Sequence, residues 1–276
     1  MKKSFVVATF FALSMGAAGI APASAQELRL TGSGASFPFP LYSSWFKDFS
    51  KQSQGITVDY QAKGSGAGIQ DFINNTVDFA ASDAAMEDGD IAKVKQGVVL
   101  LPMTAGEIVL SYNLESVKEL KLPRDVYIDI FSGKIAKWSD PKIAAANPGV
   151  KLPDQNITVV ARSDSSGTTY VFTGHLSAVS EEFKKTVGHG TTVQWPTSFV
   201  KAPKNDGVTA TIKQTPGAIG YIEYTYAIAT KQPMAILQNK AGKFVAPTDE
   251  AGKAALASAE FPAKTLPGSS APDMRV

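Results

Sequence analysis

The sequence contains no cysteine. That excludes disulfides, thiolate metal sites, a cysteine nucleophile and a lipid anchor carried on an N-terminal cysteine. Histidine is almost as scarce. His175 and His189 are the only two, and two histidines without cysteines make a poor metal site. His175 falls inside a helical pattern and His189 between two glycines, as in a turn. Neither has an evident carboxylate partner. Nucleotide and hydrolase signatures are missing too. "GSGASF" and "GSGAGI" lack the third glycine of G-x-G-x-x-G, and there is no G-x-x-x-x-G-K-[ST] loop and no G-x-S-x-G elbow. No block of like charge and no internal repeat interrupts the chain.

What is present begins with a leader. Lys2 and Lys3 precede an apolar stretch from Phe5 to Leu13, and Ala23-Ser24-Ala25 supplies a small-x-small cleavage pattern. We expect a signal peptide over 1–25, with export to the periplasm as a soluble, unanchored protein. The 276 residues less those 25 leave 251. The leader holds two of the 27 basic residues and no acid, so the mature chain carries 25 basic against 25 acidic residues. A net charge near zero gives no reason to expect a nucleic-acid or membrane-surface partner. No later apolar run is long enough to span a bilayer.

Strand and helix patterns alternate. "GITVDYQA" places Ile56, Val58 and Tyr60 on one face, and "VVLLP" (98–102), "EIVLSYN" (107–113) and "NITVVAR" (156–162) are short apolar runs. "AIGYIEYTYAIA" (218–229) is rich in the aromatic and branched residues that favour strands. Leu41, Trp45 and Phe49 recur at helical spacing, Ile69, Phe72 and Ile73 share a helical face, and Phe172, Leu176, Val179 and Phe183 fit one amphipathic helix. The alternation predicts an α/β fold with a largely parallel sheet. The C-terminal stretch "PAKTLPGSSAPDMRV" reads as an unstructured tail.

Three loops share one design. "TGSGASFPFP" (31–40), "AKGSGAGIQDF" (62–72) and "RSDSSGTTYVF" (162–172) each bring glycine and hydroxyl residues to the start of a helix. Glycine allows close backbone approach, and a helix N-terminus offers unpaired N–H groups and partial positive charge. Such loops make anion sites and, in an open α/β sheet, gather at the carboxyl ends of the strands. Ser36, Ser65, Ser166 and Thr168 are the exposed hydroxyls expected to face the anion, with Arg162 supplying the full charge. Asp83, after the strand in "NNTVDFAASDAAM", is either a helix cap or a carboxylate beside the anion. A carboxylate there repels the anion unless the anion carries a proton to donate.

These loops, with "GKIAKWSDPKIAAANPGVKLPDQNITVVARSDSSGTTYVFTGHL", "VQWP", "NDGV" and "PGAIGYIEYTYA", resemble the periplasmic phosphate-binding proteins of bacterial phosphate ABC transporters. The resemblance runs over nearly all of 28–250 and implies a two-lobed periplasmic-binding-protein fold of type 2 kind. Lobe I would take 26–103, lobe II 104–235, and 236–276 would return toward lobe I, ending short of the family's last strand and helix. It implies a monomer that is not an enzyme, binds inorganic phosphate without cofactor or metal, and delivers it to a membrane permease. Matched motif by motif, the phosphate ligands fall on Ser36, the main-chain N–H of Phe37, Gly64, Ser65, Asp83, Arg162, Ser166, Gly167 and Thr168. Asp164 matches the aspartate that orients the arginine. Ser36 stands where many relatives have threonine, and Ser165 where glycine is frequent.

Overall fold

The computed structural model describes residues 27–258. The expected leader over 1–25 and the tail over 262–276 lie outside the described residues. The first lobe is built on β1 (Leu28–Gly34), β2 (Ile56–Ala62) and β3 (Phe79–Ala81), in the order β2-β1-β3 and parallel throughout. The helices α1 (Phe39–Gln52) and α2 (Ser65–Ile73) connect these strands, and the short α3 (Asp88–Ile91) follows β3. The core of this lobe is small. Ile69, Met86 and Val94 are buried, while Trp45, Phe49, Leu101 and Met103 stay exposed.

The second lobe is larger. It contains β4 (Ile108–Tyr112), β5 (Lys121–Leu122), α4 (Arg124–Phe131), α5 (Pro141–Ala146), β6 (Thr158–Arg162), α6 (Gly167–Val179) and α7 (Glu181–Thr186). Beyond these lie β7 (Val200–Ala202), α8 (Lys204–Gln214), β8 (Ala218–Glu223), α9 (Tyr224–Thr230), β9 (Ile236–Gln238), β10 (Phe244–Val245) and α10 (Asp249–Ala257). Its main sheet runs β4-β8-β6-β7, with β4 antiparallel to β8 and the other pairs parallel. Every residue of β8 is buried, as a central strand covered on both faces requires. Alternate residues divide between two cores. Tyr112, Val159, Ile219 and Tyr221 join Phe131, Trp138, Phe172 and Trp195 on one face, while Val109, Val160 and Ile222 meet Val208 and Ile212 of α8 on the other.

Several elements depart from the sequence expectation for identifiable reasons. The run 218–229 is strand only to Glu223, whose carboxylate accepts the Thr225 N–H and starts α9. Phe183 does not continue the helix of Phe172. Ser180 ends α6 and caps α7 by accepting the Phe183 N–H at 3.1 Å. "VVLLP" forms no strand; Val99 and Leu101 are exposed, and Pro102 has no N–H to add to a ladder. Residues 236–238, expected at the start of a return to the first lobe, pair with β5 of the second.

Trp138 is fully buried and donates its indole N–H to the Gly217 carbonyl at 2.9 Å. Trp138→Ala removes both the packing and the donor. It is expected to destabilise the second lobe by about 3–5 kcal/mol, read as a fall in the urea unfolding midpoint.

Candidate functional site

All three glycine- and serine-bearing loops meet between the lobes. The first, after β1, is fixed by its own backbone. Ala35 N–H donates to Ala81 O, Tyr60 OH to Ala35 O, and Tyr226 OH, from the second lobe, to Ser36 O at 2.6 Å. The second turns at Gly64, whose φ of 99° favours glycine, and Gly64 N–H donates to Gly34 O. The third follows β6 and opens α6, where Ser166 Oγ accepts the Thr169 N–H as the cap.

Direct bonds join these loops across the cleft. Gly66 N–H donates to Ser165 O at 3.1 Å and Gly167 N–H to Ser65 Oγ at 3.1 Å. Ser65 Oγ donates to Asp83 Oδ1 at 3.0 Å, and Thr168 Oγ1 lies 3.4 Å from Asp83 Oδ2. A methyl group on Gly167 would overlap the Asp83 carboxylate and the Ser65 hydroxyl, so only glycine lets α6 approach this closely. Asp83 ends the loop after β3 as a carboxylate facing the cleft, not as a helix cap. Burial pushes its carboxyl up, against the Ser65 hydroxyl and the Arg162 charge, which pull it down.

Arg162 sits at the end of β6 with its side chain 1% exposed. Asp164 takes two of its donors, Nε at 2.8 Å and Nη2 at 2.6 Å, in a bidentate pair. Its Nη1 donates to Thr168 Oγ1 at 3.2 Å. Of five guanidinium N–H donors, two are left for another partner. Burial raises the Asp164 carboxyl, but Arg162 and the Lys204 N–H more than reverse this and hold it below the usual carboxylate range.

The sequence residues named for the site therefore converge: Ser36, Phe37, Gly64, Ser65, Asp83, Arg162, Asp164, Ser166, Gly167 and Thr168 all lie on the cleft-facing loops. One expectation is corrected. Ser36, Ser65, Ser166 and Thr168 are not exposed; all four are at most 2% accessible, because the two lobes cover them. Lys63, at the start of the second loop, pairs with Asp71 at 2.9 Å. Sequence reasoning missed the start of α8. "NDGV" supplied a motif without a role, yet Asn205 is fully buried against Ser36 and Thr168. The signal was Pro203 and Lys204 ahead of Asn-Asp-Gly, which mark a helix start.

Phe37 and Glu223 both lie against Gly106, on the segment that leads into β4. Glu223 also borders a cavity of about 680 Å³ lined by Glu107, His175 and Asp249. Among the described residues, no group of three His, Asp or Glu side chains could hold a metal, and no helix is long and apolar enough to cross a membrane.

The PBP superfamily domain matches residues 17–272. The phosphate-binding protein PstS of Pasteurella multocida is 45% identical over 238 residues, which is 86% of this chain and 68% of that protein. The chain belongs to the PstS phosphate-binding protein family. The PstS protein of Haemophilus influenzae is 41% identical over 262 residues, 94% of this chain and 75% of the relative. Among solved structures, the periplasmic phosphate-binding protein PfluDING, bound with phosphate, superposes with a TM-score of 0.70 at 23% identity. That match covers 86% of this chain and 69% of PfluDING. The phosphate-binding protein of Stenotrophomonas maltophilia gives 0.61 at 21% identity, over 82% and 71% of the two chains. At these identities the structural matches establish the two-lobed PstS fold.

Burial pushes the Glu223 carboxyl from its ordinary 4.5 to about 7, against hydrogen bonds from Thr225. Between those values the folded chain holds a proton that the unfolded chain has released, so stability falls as pH rises through that window. Glu223→Gln should flatten this fall. The gap in melting temperature between variant and wild type is expected to change in the variant's favour from pH 5 to pH 7.

Proposed function

We propose that this chain is an exported solute-binding protein that captures inorganic phosphate between its lobes and delivers it to the membrane permease of an ABC importer. It acts as a soluble periplasmic monomer, with one lobe over 26–103 and a second that starts at 104 and takes in 236–257 as well. The observation that carries this proposal is the buried Arg162, paired on one edge by Asp164 and open on the other, at the meeting point of glycine-rich helix starts.

Arg162 holds the anion with its two remaining N–H donors. The N–H of Phe37, the hydroxyls of Ser36, Ser65 and Thr168, and the start of α6 at Ser166 and Gly167 supply the rest. Gly64 spends its own N–H on Gly34, so its contribution is close approach: a methyl there would meet the Asp164 carboxylate. Donors alone would hold any tetrahedral anion. Asp83 makes the difference. Phosphate at neutral pH keeps a proton and donates it to the carboxylate in a hydrogen bond. Sulfate has none, so it would leave Asp83 facing an anion without compensation. A site that pairs a ligand hydrogen rejects analogues lacking it by roughly 10⁴-fold.

Hydrolysis is the weaker alternative. His175 bonds the Tyr127 hydroxyl and His189 packs on Tyr170, so neither serves as base to a cleft hydroxyl.

Isothermal titration of the mature chain with phosphate and with sulfate tests the proposal; absence of phosphate binding would overturn it. Arg162→Ala is expected to weaken phosphate binding by well over tenfold, since it strips the charge from a desolvated pair. Asp83→Asn should narrow the phosphate-over-sulfate preference, measured as the ratio of the two dissociation constants.

A further inference from the structure

Asn205, the second residue of α8, is fully buried and commits both ends of its side-chain amide and its main-chain N–H to hydrogen bonds. Its Nδ2 donates to Ser36 Oγ at 3.1 Å and to Thr168 Oγ1 at 3.3 Å. Its main-chain N–H also donates to Ser36 Oγ, at 3.1 Å. Its Oδ1 accepts the Glu223 N–H at 3.0 Å. The last contact fixes which way the amide points. The Glu223 N–H needs an acceptor, so Oδ1 must face it and the NH₂ must face the two hydroxyls.

This arrangement sets the polarity of those hydroxyls. Ser36 Oγ already accepts two hydrogen bonds, which fills its lone pairs and leaves only its O–H to give. Thr168 Oγ1 accepts from Asn205 and from Arg162 Nη1, with the same result, and its one O–H points to Asp83 Oδ2 at 3.4 Å, the contact that a ligand oxygen would take over. Asn205 is itself held in place: Asp164 Oδ1 accepts the Lys204 N–H at 2.9 Å, and Lys204 takes a left-handed φ of 58°, uncommon for a side-chain-bearing residue.

We infer that Asn205 is a positioning residue for the bound anion: it forces Ser36 and Thr168 to act as donors only, so that ligand oxygens without protons face them and the ligand's proton is directed to Asp83. This rests on the phosphate reading of the cleft. It differs from it in assigning binding energy to a residue that touches the anion only through two others.

A double-mutant cycle on phosphate affinity tests it, with titration calorimetry on wild type, Asn205→Ala, Ser36→Ala and the double variant. Asn205→Ala is expected to raise the dissociation constant at least tenfold in the wild-type background and less than threefold when Ser36 is already alanine. Equal factors in both backgrounds, or a wild-type-background change under threefold, would overturn the inference. Asn205→Asp keeps the acceptor for the Glu223 N–H while removing both side-chain donors. Should the alanine variant not fold, this one decides: a melting temperature near wild type with at least tenfold weaker phosphate binding supports the inference, and binding within threefold of wild type overturns it. If neither variant folds, the role is structural and the inference fails. Wild type that binds no phosphate brings down the phosphate reading, and this inference with it; wild type that binds while the variants match it brings down the inference alone.

Discussion

A guanidinium almost removed from water has to be neutralised, and the cleft is arranged around that requirement. Asp164, two residues along the chain, satisfies two of the Arg162 donors in a rigid fork. The same carboxylate accepts the Lys204 N–H and so anchors the start of α8. One ion pair therefore aims a charge into the cleft and also sets the helix that carries Asn205. Removing one partner of such a pair leaves an uncompensated buried charge, which is why the pair is costly to break even where its net contribution to stability is small.

The lobes meet through polar contacts, not a shared apolar core. Hydroxyls, backbone N–H groups and one carboxylate cross the gap, and glycine at 167 lets them come within reach. This chemistry suits a reversible closure. Hydrogen bonds between the lobes exchange with water or with a ligand's oxygens at modest net cost, whereas an apolar interface would hold the cleft shut. Tyr226 and Asn205, both from the second lobe, seize the first loop at the Ser36 carbonyl and hydroxyl, so the position of that loop reports on closure directly.

Much of this was legible in the sequence, because its signals were local. Glycine, hydroxyl residues and a following apolar helix mark an anion loop whether or not the loop is seen folded, and "RSDSSGTT" announced the arginine and its aspartate together. The short apolar run "NITVVAR" ends at Arg162, which is the last residue of β6. What stayed hidden depended on distant partners. The four hydroxyls read as exposed from their own loops, because nothing there shows that another lobe covers them. Asn205 carries no local mark distinguishing a cap from a residue that bridges three segments. The helix start at Tyr224 was masked by aromatic and branched residues that favour strands, and Glu223, a single capping side chain, overrode them.

The unequal cores of the two lobes carry a dynamic consequence. The second lobe buries a large aromatic and aliphatic cluster on each face of its sheet, while the first buries little and leaves Trp45 and Phe49 in water. Amide hydrogens of β1, β2 and β3 thus belong to the unit that opens at lower free energy, and those of β8 and β6 to the unit that opens last. The bonds across the cleft tie the weaker unit to the stronger one. Whatever bridges the cleft in place of those bonds does more than occupy a site: it lends the first lobe part of the second lobe's protection against exchange and proteolysis.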